Sequence, residues 1–276
     1  MSAAVATPPA LPALIGHDVK VTQRRILRSE WTKFRSVRST VWTLLIAVAL
    51  MIGVSALFSS VVADEYHTFN ASERATFSPV ATSLAGFTLA QLAIGVLGVL
   101  LISGEYSTGM IRASLTAVPR RLPVLWGKLG VFAGVVLTLS LIAAVISFSI
   151  GQTLLASHHL NVAITAPGAL RSVVGAALYV TVAGMIGLAL GALLRNTAAA
   201  ISAFVGAFFV IPQLTALLPA SISNNLDPYL PSNAGATLFG AGPSHALSPW
   251  VGFIVFCGYA ILLVAAAAYR LVRGDA

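Results

Sequence analysis

Few side chains in this sequence are equipped for chemistry. Five histidines, one cysteine and eight acidic residues are spread over 276 positions. His158 and His159 are neighbours, so they project in different directions on a helix or a strand and make a poor metal pair. Cys257 sits alone in an apolar run; one thiol makes neither an internal disulfide nor a cysteine metal cluster. There is no H-E-x-x-H pair, no G-x-S-x-G elbow and no G-x-x-x-x-G-K-S/T phosphate loop. The sequence therefore carries no motif for hydrolytic or zinc chemistry, and none for holding ATP by that loop. The main polar side chains at depth in the apolar runs are Gln91, Gln152 and Gln213. A glutamine in a membrane most often bonds to a neighbouring helix. The functional alternative is a polar contact on a substrate path, and these three are the candidates for it.

The elements that position these residues follow from composition. The apolar set is 58% of the chain and charged residues only 9%, with a mean hydropathy of +0.92. A soluble domain carries about 25% charge, so both a water-soluble globule and a disordered chain are excluded. Six apolar runs are each long enough to span a bilayer, at roughly 20 residues per span. They cover about 40–62, 79–103, 129–156, 172–194, 198–218 and 250–269. The expected fold class is all-α, a polytopic membrane protein with six transmembrane helices. Residues 1–19 read as a disordered tail, 20–39 as an amphipathic entry helix and 40–276 as the six-span domain. No Lys, Arg, Asp or Glu lies well inside a run, which argues against an ion-coupled transporter with buried relay groups.

The net charge of +8 reads as topology rather than nucleic-acid binding. Fourteen of the 16 basic residues fall in the N-terminal segment, the second and fourth connections and the C-terminus. That bias predicts both termini on the cytoplasmic side. Seven of the fourteen lie between Lys20 and Arg38, where Leu27, Trp31 and Phe34 share one helix face. A basic helix with such a stripe is expected to lie flat at the headgroup level. Gly130 and Gly134, and Gly187 and Gly191, have the four-residue spacing that lets helices approach closely.

The connection after the second span, residues 104–128, is the most informative segment. Glu105 leaves the span and Gly109 permits a bend. Met110, Ile111, Leu115 and Val118 then recur at roughly helical spacing among Arg112, Arg120 and Arg121, and Pro119 and Pro123 interrupt the segment. Glu105-Tyr-Ser-Thr-Gly-Met-Ile-Arg, followed by a leucine stretch, a proline and paired arginines, resembles the permease subunits of ATP-binding-cassette transporters of the type-2 export class. So do Arg28-Ser-Glu-Trp-Thr-Lys-Phe-Arg-Ser before the first span, Tyr229-Leu-Pro-Ser-Asn-Ala-Gly before the last, and the ending from Arg270.

The resemblance implies a permease without enzymatic activity of its own. It would be an exporter in the cell membrane for a drug, lipid or peptide. Two copies would pair with two copies of a separate nucleotide-binding ATPase, which would hold ATP and magnesium; this chain needs no cofactor and no nucleic acid. Carried onto this sequence, Glu105, Thr108, Gly109 and Arg112 would form a cytoplasmic coupling helix. Trp31, Lys33 and Arg35 would lie on the entry helix, and 219–249 would form short re-entrant helices in the outer leaflet. A subunit for secretion of, or protection from, a peptide antibiotic keeps the same fold. A membrane scaffold and an intramembrane enzyme are the readings from other classes.

Overall fold

A computed structural model describes residues 22–107, 122–243 and 245–273. The tail 1–19 and the coupling-helix residues Thr108, Gly109 and Arg112 lie outside the described residues. The described residues are mostly helical, with no strand among them, and six of the helices are long and apolar enough to cross a membrane.

The chain enters through α1, Gln23–Ser36. This helix carries Arg24, Arg25, Arg28, Lys33 and Arg35, and cannot enter hydrocarbon. The next helix, α2 (Arg38–Glu65), is uncharged from Ser39 to Ala63. The backbone changes direction where the two characters meet, at an extended Val37 (φ −86°, ψ 105°). Two short helices at the far end, α3 (Ala71–Thr76) and α4 (Pro79–Ser83), return the chain towards the bundle. Asn70 and Glu73 cap α3 reciprocally, and Ser78 caps α4 ahead of Pro79.

The bundle is centred on α5 (Gly86–Ser107) and α7 (Ala169–Leu194). With α6 (Leu122–Ala156) between them in the chain, α7 is the most enclosed span. Lipid tails are as apolar as the side chains, so association relies on close packing. A Cβ on Gly187 would stand 2.2 Å from the carbonyl oxygen of Gly95, and one on Gly98 would stand 2.2 Å from that of Gly184. Only glycine allows α5 and α7 to approach this closely. Of the two spaced pairs in the sequence, Gly187 and Gly191 form this contact. Gly134 has open space around it and Gly130 faces only Leu27.

The chain turns at Arg195 (φ 53°) and restarts under an Asn196 cap as α8, Thr197–Thr215. Pro212 cannot donate to the carbonyl of Phe208, and the helix widens to a π turn over Gly206–Val210 just before it. Residues 220–239 form a series of short helices that includes α9 (Ala220–Leu226) and α10 (Pro231–Ala236). Leu238 and Phe239 are fully buried there, with Phe239 against Tyr179 of α7. The last span is α11, Pro249–Arg273. All four tryptophans are exposed. Trp31, Trp42 and Trp126 lie near the basic end and Trp250 opens α11 at the other, as expected of residues that sit at membrane–water boundaries.

Candidate functional site: a buried charge cluster at the basic end

The structure gathers four charges where α1, α5 and α6 meet. Glu30 is on α1 and Lys33 one turn further; Glu105 lies in the last turn of α5 and Lys128 in the second turn of α6. Lys128 Nζ donates to Glu30 Oε2 at 2.7 Å and to Glu105 Oε1 at 2.9 Å. Lys33 Nζ donates to Glu30 Oε1 at 2.9 Å and stands 3.6 Å from Glu105 Oε1. The Lys128 and Glu30 side chains are 3% and 5% exposed, whereas Lys33 is 32% exposed. The two lysines are the only ones among the described residues, and Glu30 and Glu105 are the only acids described at this end.

The cluster is electrically balanced, which permits its burial. Burial alone would raise the Glu30 carboxyl, but Lys128 and then Lys33 hold it below its ordinary value of 4.5. Burial would lower the Lys33 ammonium, but its contacts with Glu30 and Glu105 hold it above 10.5. Apolar contacts seat α1 around these charges. Ile26 lies against Gly127, where a Cβ would meet it at 2.8 Å. Phe34 meets Phe132 edge to face at 6.5 Å.

The structure adds two features to the sequence expectation. The face of α1 that packs on the bundle is Ile26, Glu30 and Phe34; of the stripe expected to face the membrane, Leu27 and Trp31 are exposed and Phe34 is buried. The i, i+4, i+8 set that includes a glutamate is invisible to an apolar-stripe search. Lys128 lies more than one turn inside α6, because the helix starts at Leu122 and accepts Pro123 in its first turn. Glu30 and Lys128 were missed as site residues. The available signal was the scarcity of lysine, together with a lone Lys128 between Gly127 and Leu129 at the edge of an apolar run.

The other predicted residues have separate surroundings. Trp31 and Arg35 lie on α1 with Lys33, both exposed. Gln91 accepts a hydrogen bond from the buried Tyr179 hydroxyl, joining α5 to α7. Gln152 donates to Ser83 Oγ (2.8 Å) and the Pro79 carbonyl (3.1 Å) and accepts from the Val162 amide (2.7 Å). Gln213 is exposed near the far end of α8. A carboxylate does stand near the histidines: Asp64 Oδ1 is 3.6 Å from His158 Nε2, on the surface. No group of three or more metal-ligating side chains occurs among the described residues.

A second set of contacts closes the same end. Thr197 Oγ1 of α8 donates to Ser103 Oγ of α5 at 2.9 Å. The Arg195 guanidinium lies 5.3 Å from the Tyr106 ring centre. Arg270 of α11 donates to the Leu193 carbonyl, and Arg195 Nη2 to the Arg270 carbonyl at 3.4 Å. The ends of α5, α7 and α11 and the start of α8 are thereby tied together.

Six apolar spans with a closed, ion-paired basic end define a multi-pass membrane protein. Residues 26–213 match the family model described as ABC-2 family transporter protein. The chain belongs to that family and is a membrane subunit for transport. No curated protein matches the sequence.

Proposed function

We propose that the chain is the permease of an ATP-driven exporter, working as a pair with two copies of a separate ATPase that holds ATP and magnesium. The basic end faces the cytoplasm of a cell-membrane protein, and the cargo is hydrophobic or amphipathic. The short helices of 219–249 dip into the outer leaflet.

The observation that carries the coupling role is the Glu105–Lys128 ion pair. These residues stand at the exit of α5 and near the start of α6, so their bond closes the base of the connection 108–121. Glu30 bonds to the same ammonium and adds α1 to the clamp. A push on the connection is then delivered to α1, α5 and α6 together. ATP binding can shift the permease only through contacts that differ between its conformations, and a stiff lever makes that difference felt in the spans. Thr108, Gly109 and Arg112 would be the contact surface.

The test is purification of the tagged chain from its native membrane, followed by ATP hydrolysis and efflux of a lipophilic dye. A stoichiometric ATPase should co-purify. Glu105→Ala and Arg112→Ala should insert normally yet lose ATP-driven efflux. Recovery of the chain alone, or full efflux by both variants, would refute the reading.

A further inference from the structure

Beside the charge cluster lies a cavity of about 430 Å³ between α1, α2, α5 and α6. Its apolar wall is the α5 face Leu97, Leu100 and Leu101, continued by Val131 and Phe34. At 1.5 Å per residue, this wall runs roughly 12 Å from Leu97 to Glu105. It is flanked by Val37 and Leu100, which are 46% and 43% exposed. An amphiphile aligned along α5 would have its chain against the leucines and its head at the charges.

The upper wall carries the hydroxyls of Ser36, Ser39, Thr40 and Thr43. Ser36 Oγ donates to the Lys33 carbonyl and Thr43 Oγ1 to the Ser39 carbonyl, each at 2.9 Å, so both hydroxyls keep only lone pairs to offer. The Lys33 and Lys128 ammonium groups are engaged by carboxylates. Glu105 is 8% exposed. Its Oε1 takes both lysines, while its buried Oε2 has no hydrogen-bond partner. An anionic head would meet lysines already neutralised by glutamates. A head that brings several N–H donors would complement the wall.

We infer that this cavity is a binding site for a membrane phospholipid with a primary-ammonium headgroup, drawn from the leaflet at the basic end. The acyl chain packs on Leu97, Leu100 and Leu101, and the ammonium donates to the acceptors around Ser36, Thr43 and Glu105. The site needs no ATPase and does not rest on the export reading, because a resident lipid binds whether or not anything is transported.

The full-length chain in nanodiscs, with a trace of phosphatidylethanolamine carrying a photoreactive acyl chain, tests this directly. The lipid should label peptides from α2 and α5. Phosphatidylcholine and phosphatidylglycerol with the same chain should label roughly tenfold less, about what one charge-assisted hydrogen bond is worth. Leu101→Trp fills the cavity and should suppress labelling, whereas Ile142→Trp, on an exposed face of α6, should not. Thr43→Phe is the second blocking variant, for the case in which Leu101→Trp does not fold. Equal labelling by the three headgroups, or undiminished labelling in a folded blocking variant, would overturn the site.

Discussion

Lys128 is the residue on which the charge cluster depends. It is almost fully buried between two carboxylates, and its loss would leave Glu30 and Glu105 with only the half-exposed Lys33. Removing one partner of a buried ion pair costs about 3–5 kcal/mol, because the other charge stays desolvated. Lys128→Met should therefore lower the thermal midpoint of the purified protein strongly. Lys33→Met should cost about 1 kcal/mol or less, the range of exposed pairs. Comparable midpoints for the two variants would show that Lys128 is not the keystone. The cluster also fixes a pH window. Glu30 is held below 4.5, so its contribution is full above that value and is lost as the pH falls through the lowered value. Lys33 is held above 10.5, so its contribution is full below that value and is lost as the pH rises beyond it. Amide-exchange protection factors in α1, with the intrinsic pH dependence divided out, should thus be steady between these limits and fall outside them. A loss of protection near neutrality would point to another titrating group. Glu105 was legible in the sequence because it opens the connection whose motif carries the family resemblance. Glu30 and Lys128 were not, because ion partners 98 positions apart leave no local pattern.

At the scale of elements, the closest contact belongs to α5 and α7, and glycine sets it. Gly187→Ala would drive a methyl group into the backbone of Gly95, where no side chain can move aside. Overpacking of this kind typically costs about 1–3 kcal/mol. Gly134→Ala meets open space on α6 and should be neutral, or stabilising by about 0.5–1 kcal/mol through helix propensity. Thermal midpoints in detergent separate the two, and a harmless Gly187→Ala would refute the close approach. The identical four-residue spacings in the sequence could not rank these pairs. Spacing places two glycines on one face; the neighbouring helix decides whether that face is in contact. The same reasoning explains α1. Hydrophobic spacing identified the helix, but its packed face includes a glutamate whose partner arrives from α6.

At the scale of the whole molecule, the six-span layout was legible because span length and charge bias act over many residues at once. Among the described residues, ten of the twelve Lys and Arg side chains lie at one end, while Asp64, Glu65, Glu73 and Asp227 lie at the other. Translocating so many Lys and Arg residues is unfavourable, so the basic end should remain in the cytoplasm. The single cysteine makes this easy to check. Cys257 is partly buried in α11, and Cys257→Ser gives a background for introducing one thiol at a time. Ser72 is exposed on α3 at the acidic end, and Thr32 is exposed on α1 at the basic end. In intact cells a membrane-impermeant maleimide should label Ser72→Cys and spare Thr32→Cys. Permeabilisation should then expose Thr32→Cys. The reverse pattern would place α1, the charge cluster and the connection 108–121 outside the cell, beyond reach of a cytoplasmic ATPase. The labelling experiment therefore tests the orientation and the coupling proposal through one geometric requirement: the end that carries the lever must face the nucleotide.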